Sequence, residues 1–85
     1  MKLSIVVPTL NESACIEATL AAARPARLAG AEIVVVDGGS TDATRALAAP
    51  LADQVIEAAR GRAAQMNAGA RAASGDALLF LHADT

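Results

Sequence analysis

Four short segments of this sequence hold the side chains best suited to bind a phosphate, a sugar or a metal ion. They cover residues 8–12, 37–42, 57–62 and 82–85, and they contain carboxylates, amides, hydroxyls, arginines and the single histidine of the chain. Carboxylates accept hydrogen bonds from N–H and hydroxyl groups, while arginine donates paired hydrogen bonds to phosphate. A carboxylate together with phosphate oxygens also provides hard ligands for Mg²⁺ or Mn²⁺. These segments are therefore the candidate functional residues, provided that the fold brings them together.

The hydrophobic pattern predicts the elements that position these segments. Short runs rich in Val, Ile and Leu predict strands at residues 3–7, 33–36, 54–57 and 77–81, and helical patterns fall at residues 13–23, at residues 40–50 and at residues 61–73. This alternation predicts an α/β fold with a parallel sheet of about four strands and three helices. In such a sheet the carboxyl ends of all strands lie along one edge, where ligands bind. Each polar segment follows a predicted strand, so we expect a single site.

Local signals predict where these elements begin and end. Asn11 and Ser13 are candidate caps for the first helix, and Ser40 or Thr41 is expected to cap the second helix, which stops near Pro50. Two positions, Pro25 and Gly30, are expected to mark the loop after the first helix, and Gly75 the end of the third. The strand at residues 54–57 is the weakest pattern and is expected at the edge of the sheet.

Composition excludes several classes of protein. With a net charge of −2, the chain has no overall positive field for nucleic acid or anionic lipid. No segment approaches the roughly 20 apolar residues of a membrane span, and nothing resembles a signal peptide, so we expect a cytoplasmic chain. The fingerprints of dinucleotide-binding Rossmann sites and of P-loops are absent after the first strand. A phosphate would therefore have to be bound by local groups.

Four blocks of sequence, taken in order, resemble the opening of the family 2 glycosyltransferases, which have the GT-A fold. The blocks read VVPTLNE at residues 6–12, IVVVDGGSTD at residues 33–42, GRAAQMNAG and ASGD within residues 61–76, and FLHAD at residues 80–84. The resemblance covers essentially the whole chain, and its specificity comes from the ordered combination. The ending His-Ala-Asp-Thr is most similar to a soluble bacterial subgroup linked to arsenosugar biosynthesis.

The resemblance implies a Rossmann-like GT-A domain part spanning residues 1–85 that binds a nucleoside-diphosphate sugar, with a UDP-sugar favoured. Glu12 is similar to an acidic residue of the family's first loop, and Asp37 resembles the residue that contacts uracil or ribose. From the residues alone, a role in stabilising turns and helix ends is also open for both carboxylates, and more so for Glu12 than for Asp37. The residues expected to bind the donor are Pro8, Thr9, Asn11, Glu12, Asp37, Gly39, Arg62, Asn67 and His82.

The phosphate and metal positions follow from the same resemblance. Arg62 looks like the basic residue near the diphosphate, and Asn67 lies further along the same helix. Arginines on helices are often only solvated, which is the alternative for Arg62. Gln65 is open to interpretation as a helix-surface residue. Asp84 matches the last aspartate of the family's Asp-x-Asp motif, which holds Mn²⁺ or Mg²⁺. His82 replaces the first aspartate, and three roles stay open for it: binding the metal, contacting the ribose, or shaping the loop.

The resemblance implies an inverting transfer of a sugar to an acceptor, assisted by the metal. In the family, the catalytic base and the acceptor surface lie downstream of the Asp-x-Asp motif, so this chain is expected to bind the donor without catalysing transfer by itself. The last strand is apolar on both faces, and we expect it to support a homo-oligomer through an exposed sheet edge. Two alternatives are a non-catalytic nucleotide-binding module and a small α/β interaction domain.

Overall fold

The chain alternates strands and helices, as its hydrophobic pattern predicts. A computed structural model of the protein describes residues 1–83. Its elements are β1 (Leu3–Thr9), α1 (Ile16–Leu28), β2 (Glu32–Asp37), α2 (Thr44–Ala48) followed by a 3₁₀ turn (Ala49–Leu51), β3 (Gln54–Glu57), α3 (Arg62–Ala72) and β4 (Ala77–Phe80). None of the helices in this part of the chain has the length and apolar character needed to cross a membrane.

The strands form one parallel sheet in the order β3-β2-β1-β4. The predicted α/β fold is confirmed, and β3 lies at the edge of the sheet, as its weak pattern indicated. The longest ladder joins β1 and β2 from Ser4↔Glu32 to Thr9↔Asp37. Because every pairing is parallel, the segments that leave the carboxyl ends of the strands emerge along the same edge.

Helices cover both faces of this sheet, so the central strands are buried on each side. On one face, α1 and α2 pack against the side chains of Ile5, Val7, Ile33 and Val35. On the other face, α3 packs against Val6, Val34 and Val36. Near-continuous Val and Ile runs are typical of strands buried on both faces, where alternation with polar residues is absent.

Helix α3 approaches the sheet closely because residue 69 is a glycine. A Cβ atom at Gly69 would lie 2.3 Å from Cγ1 of Val6 and 2.9 Å from Cγ2 of Val36, which is closer than carbon atoms pack. Both valines are completely buried in the two central strands. The absence of a side chain therefore sets the distance between α3 and the sheet.

Helix α1 differs from its predicted bounds at both ends. It continues through Pro25, which lies exposed in its last turns, and it ends where the amide of Gly30 bonds the Arg27 carbonyl at 3.0 Å. Gly30 takes a φ of 108° there, so the prediction for Gly30 is correct and that for Pro25 is wrong. Proline is tolerated because it removes one intrahelical hydrogen bond on the solvent side, while tertiary packing holds the helix.

The predicted helix caps are also wrong. The N-cap positions are Cys15 for α1 and Ala43 for α2, and neither makes a side-chain capping hydrogen bond. Ser40 and Asn11 instead bond other groups of the two loops, described below. Gly75 does not take a left-handed conformation, and it is needed because a Cβ atom there would lie 2.5 Å from Oγ of Ser4.

Gly69→Ala should destabilise the protein by about 2 kcal/mol, because a methyl group would force α3 away from the sheet. Helix propensity alone predicts the opposite sign, a gain of about 1 kcal/mol. Urea unfolding followed by circular dichroism would measure the change. Ala21→Gly, at an exposed position within α1, is the control and should cost only the intrinsic difference of about 1 kcal/mol. A more stable Gly69→Ala protein would contradict the close-packing argument.

Candidate functional site

The loop that follows β2 is built around the carboxylate of Asp37, which has no exposed surface. One carboxylate oxygen accepts hydrogen bonds from the hydroxyls of Thr9, at 2.9 Å, and Ser40. The other accepts from the amides of Gly39, at 3.1 Å, and Ser40, at 2.7 Å. Arg45 adds a longer ionic contact at 3.9 Å. Asp37 thereby fixes the end of β1 and the turn after β2 to each other.

Two effects act on the pKa of Asp37 in opposite directions. Burial by itself would raise it, because a charged carboxylate loses its hydration. The hydrogen bonds from Ser40, Thr9 and Gly39 stabilise the charged form and together outweigh burial, so the pKa of Asp37 is lowered. The carboxylate is therefore ionised at neutral pH and faces its own loop. The predicted contact to a base or ribose would require the exchange of one of these hydrogen bonds.

The loops after β1 and β2 are joined by further hydrogen bonds between side chains and backbone. Asn11 has a φ of 52°, a left-handed conformation that asparagine tolerates better than most residues. The backbone amide of Asn11 donates to Oγ of Ser40 at 2.8 Å, and the side-chain Oδ1 of Asn11 accepts from the backbone amide of Thr41 at 2.8 Å. The exposed Asn11 therefore aligns the two loops at the rim of the sheet edge.

Asp42 and Thr44 make a second junction between the same loops. The Thr44 side chain accepts the amide of Glu12 at 2.8 Å and donates to Asp42, whose carboxylate also accepts the amides of Thr44, at 3.0 Å, and Ser13, at 3.3 Å. The hydrogen bond from the Thr44 hydroxyl is the main reason that the pKa of Asp42 is lowered to about 2. The start of α1 is thus held by α2 and the segment before it.

A shallow cleft of about 140 Å³ opens beside these loops. It lies between the end of β1, the first turns of α3 and the segment that follows β4. The residues around it are Pro8, Thr9, Leu10, Glu12, Arg62, Gln65, His82 and Ala83. Arginine, histidine and glutamate side chains therefore border one small space at the carboxyl edge of the sheet.

The structure brings together most of the residues that the sequence singled out, but not all of them. Pro8, Thr9, Glu12, Arg62 and His82 border the cleft. Exposed residues of the joined loops, Asn11 and Gly39, lie at the same edge, and Asp37 lies beneath them. Asn67 is exposed on α3 and is not among the residues that border the cleft, and Asp84 lies outside the described residues.

Gln65 is a residue whose importance the sequence did not reveal. The interpretation as a helix-surface residue is wrong, because its side chain is 5% exposed. It donates to the carbonyls of Thr9 and Val36, both at 2.9 Å, and accepts the amide of Gly61 at 3.2 Å. Its spacing of four residues before Gly69, on the same face of α3, is a signal that could have placed it against the sheet.

Arg45 was also missed. It lies on α2 and donates to a carboxylate oxygen of Glu57 at 2.7 Å, in addition to its contact with Asp37. The Arg45 side chain is 43% exposed, so we assign it to electrostatic support of the loop after β3 and not to a buried ion pair. No sequence spacing pairs these residues, since they come from different elements.

A larger cavity, of about 530 Å³, lies at the opposite edge of the sheet. Its basic residues include Arg27, which already pairs with Asp53 at 3.3 Å, and Lys2, whose ammonium group bonds Ser74 at 3.0 Å. None of the four polar segments reaches it. Size therefore does not identify the functional site, and the convergence of polar groups favours the small cleft at the carboxyl edge.

The residues around the cleft fit a divalent cation only if a ligand shares it. Among residues 1–83 no group of three His, Cys, Asp or Glu side chains is placed to hold a metal ion. Mg²⁺ and similar ions are commonly bound by one or two carboxylates with the remaining oxygens from phosphates and water. The described part of the cleft offers one carboxylate, Glu12, and the imidazole of His82, so a cation there would take further oxygen ligands such as those of a phosphate.

Residues 4–85 match the family described as glycosyl transferase family 2. The chain belongs to this family. The resemblance inferred from the sequence blocks is therefore confirmed at the level of the family, and the similarity to an arsenosugar-linked subgroup stays a prediction.

Similar proteins extend well beyond the matched region. The chain is 41% identical over 88 residues to a PGL/p-HBAD biosynthesis glycosyltransferase of Mycobacterium tuberculosis, covering 95% of this chain and 34% of that protein. It is 31% identical over 91 residues to an uncharacterized glycosyltransferase of Nostoc sp., covering 99% and 28%. The chain thus spans about a third of the length of these curated relatives.

A similar solved structure shows the same fold with ligands bound. Glucosyl-3-phosphoglycerate synthase from Mycobacterium tuberculosis, in complex with Mn²⁺, UDP and glucosyl-3-phosphoglycerate, superposes with a TM-score of 0.85 at 29% identity. The superposition covers 96% of this chain and 33% of that one. The GT-A fold predicted from the sequence is therefore confirmed.

The low pKa of Asp42 gives a pH prediction. A carboxyl group whose pKa is lower in the folded than in the unfolded protein stabilises the fold above its unfolded value of about 3.9, and this stabilisation disappears as the pH falls. The thermal unfolding midpoint should therefore drop between pH 4 and pH 2, where Asp42 becomes protonated. Asp42→Asn should show a shallower drop. Some drop should remain in this variant, because the pKa values of Asp37 and Glu32 are also lowered. Parallel curves for the two proteins would contradict this assignment.

Proposed function

We propose that residues 1–85 form the donor-binding part of a family 2 glycosyltransferase and that the cleft at the carboxyl edge of the sheet binds a nucleoside-diphosphate sugar. The observation that carries the proposal is the meeting of Glu12, Arg62 and His82 around one small cleft. These residues come from three separate segments of the chain, and each has a side chain that suits phosphate or sugar hydroxyls.

Each bordering residue has a role that its chemistry supports. Arg62 is the first residue of α3, where the helix dipole also favours an anion, so we assign it to the diphosphate. Glu12 and the backbone of the first loop are assigned to the base and ribose, with UDP favoured because UDP is bound in the similar synthase structure. Asp37 acts mainly by holding Thr9 and Gly39 in place.

A divalent cation, Mn²⁺ or Mg²⁺, belongs to this proposal. Mn²⁺ is present with UDP in the similar synthase structure. Asp84 would hold it in this chain, together with phosphate oxygens, and the bound ion would offset the negative charge that grows on the departing diphosphate. His82 borders the cleft. This position is compatible with a contact to the ribose and with a contact to the ion.

The complete reaction is assigned to a protein of the length of the relatives. We propose an inverting transfer in which a carboxylate base removes the proton of the acceptor hydroxyl. We assign this base and the acceptor surface to the two thirds of the relatives that this chain does not span. The 85 residues by themselves should therefore bind the donor without transferring sugar, and metal-dependent transfer by them would contradict this division.

Calorimetric titration with UDP, with and without Mn²⁺, tests the site. We expect UDP to bind much more tightly with Mn²⁺ than without it, and Mn²⁺ alone to bind weakly, because the described residues provide no complete metal site. Asp84→Ala should abolish the effect of the metal. Asp76→Ala is the matched control, because it removes a carboxylate of the loop before β4, at the opposite edge of the sheet.

The same titration distinguishes the alternatives. Arg62→Ala should weaken UDP binding by about tenfold or more, the loss expected for a charge-assisted hydrogen bond, whereas Arg71→Ala in the last turn of α3 should not. A folded chain that binds neither UDP nor GDP would favour the small interaction domain. Nucleotide binding without transfer in a protein of full length would favour a non-catalytic module.

We further propose that β4 supports association with a second copy. It is the outer strand among the described residues, and Leu78 and Leu79 on its two faces are 42% and 49% exposed. An apolar strand edge with unpaired backbone groups is prone to pair with another chain. Leu79→Lys should therefore lower the average mass measured by sedimentation at high concentration. Leu28→Lys is the control, since Leu28 is 76% exposed on α1, and a monomeric unsubstituted protein would contradict the proposal.

A further inference from the structure

Gln65 occupies the junction of three elements beneath the proposed donor site. It belongs to α3, and its side-chain NH₂ group donates to the carbonyl of Thr9, the last residue of β1, and to that of Val36, the last but one of β2. Its side-chain oxygen accepts the amide of Gly61, the residue immediately before α3. Both N–H bonds and the oxygen of the side-chain amide therefore take part in hydrogen bonds, and the residue is 5% exposed.

These hydrogen bonds reinforce the final rung between the two central strands. The carbonyl of Thr9 already accepts the amide of Gly38 at 2.9 Å, so Gln65 is a second donor to it. The strand ladder itself ends at Thr9↔Asp37. Beyond that point the backbone turns into the two loops, which are joined to each other by side-chain contacts. Gln65 is therefore bonded to the backbone where each loop begins.

The same side chain fixes the beginning of α3. Gly61 has a φ of 134°, a left-handed conformation that favours glycine. Gln65 accepts the amide of Gly61 one turn into the helix, and Arg62 is the next residue after Gly61. The position of the Arg62 backbone relative to the first loop therefore depends on the Gln65 side chain.

Residue 38 has to be small for Gln65 to lie there. A Cβ atom at Gly38 would be 2.8 Å from the side-chain oxygen of Gln65 and 2.9 Å from its Cδ. Gly38 does not take a positive φ, so its own backbone conformation does not require glycine. Residue 38 has to be glycine because the side-chain amide of Gln65 occupies the space that a Cβ atom would need.

We propose that Gln65 is a positioning residue for donor binding, which sets the relative placement of the loops after β1 and β2 and of Arg62. The proposal rests on the proposed function of this edge as a nucleotide-binding site. It assigns Gln65 no contact with the ligand. Its effect is exerted through the backbone of Thr9, Val36 and Gly61.

The chain offers a matched control for this role. Gln54 on β3 is partly buried, and its NH₂ group donates to the carbonyl of Ala72 at 3.1 Å and to Glu32 at 3.3 Å. It joins α3 to the sheet as Gln65 does, but at the other end of the helix and away from the cleft. Gln65→Met and Gln54→Met therefore remove the same chemical group and keep a similar side-chain volume.

The test compares the affinity of these variants for UDP in the presence of Mn²⁺ at a temperature where circular dichroism shows each protein folded. Both variants should lower the unfolding midpoint. Only Gln65→Met should raise the Kd, by about tenfold, the lower end of the loss seen when a group that orients metal ligands is removed. Equal Kd values for Gln65→Met, Gln54→Met and the unsubstituted protein would overturn the proposal.

Hydrogen exchange of the free protein supplies a readout that does not need the nucleotide. Gln65→Met should accelerate exchange of the Gly38 and Gly61 amides, whereas Gln54→Met should leave them unchanged. If the unsubstituted protein binds no UDP but this exchange pattern appears, the proposed function fails and the positioning of the loops stands. If the two variants exchange alike at these amides, the positioning role is refuted.

A second variant covers the case in which Gln65→Met does not fold. Gly38→Ala leaves the glutamine in the sequence but displaces its side chain, because the added Cβ would lie within 3 Å of it. It should raise the Kd for UDP and accelerate exchange at Gly61, as Gln65→Met does. Unchanged affinity and exchange in Gly38→Ala would count against the proposal independently.

Discussion

A carboxylate that is completely buried has to receive hydrogen bonds on both oxygens, and the candidate site depends on how this chain meets that condition at Asp37. The hydrogen-bond donors are Thr9 at the end of β1 and Gly39 and Ser40 in the turn after β2. Removing water from the carboxylate is costly unless such partners are in place. The two loops therefore take defined conformations because the charge beneath them allows few others. The hydrogen bonds to Asp37 therefore help to determine the shape of the cleft where the first loop borders it.

The close packing of α3 is the second condition on which the site depends. Gly69 lets the helix approach the central strands, and Gly38 leaves room for the Gln65 amide to reach the backbone of both. A helix held farther away would not bring the first turn of α3, with Arg62, to the first loop. Packing in the middle of the domain and geometry at the edge are thus connected through one helix.

The small size of the core explains why polar contacts carry so much of the organisation. Hydrophobic residues make up 54% of the chain, yet there is one phenylalanine and no tryptophan or tyrosine, and much of the apolar content is alanine. Alanine buries little area, so the valine and isoleucine clusters of β1 and β2 supply most of the apolar stabilisation. Hydrogen bonds between loops then define conformations that apolar contacts leave open, as the Asn11 and Asp42 junctions illustrate.

By itself, the sequence determined the order and type of the elements, the parallel sheet, the edge at which Glu12, Arg62 and His82 meet, and the family. These features follow from local hydrophobic periodicity and from short motifs, which are written directly in neighbouring residues. The helix ends were less predictable, because Pro25 and the expected caps are overruled by tertiary packing and by loop hydrogen bonds.

Only the tertiary structure decided what the individual polar residues do. In the sequence, Asp37 was open to contacting a ligand or to stabilising a turn, and Gln65 was open to a place on the helix surface. Asp37 is buried and accepts hydrogen bonds from its own turn and from the Thr9 hydroxyl of β1, while Gln65 is buried against backbone carbonyls of β1 and β2. Asn67 matched a motif but lies on the exposed face of α3. Thr9 is a partner of both side chains, and it is 28 residues from Asp37 and 56 residues from Gln65. No local pattern specifies which distant donor or acceptor a polar side chain will meet, because that depends on how closely the helices pack on the sheet.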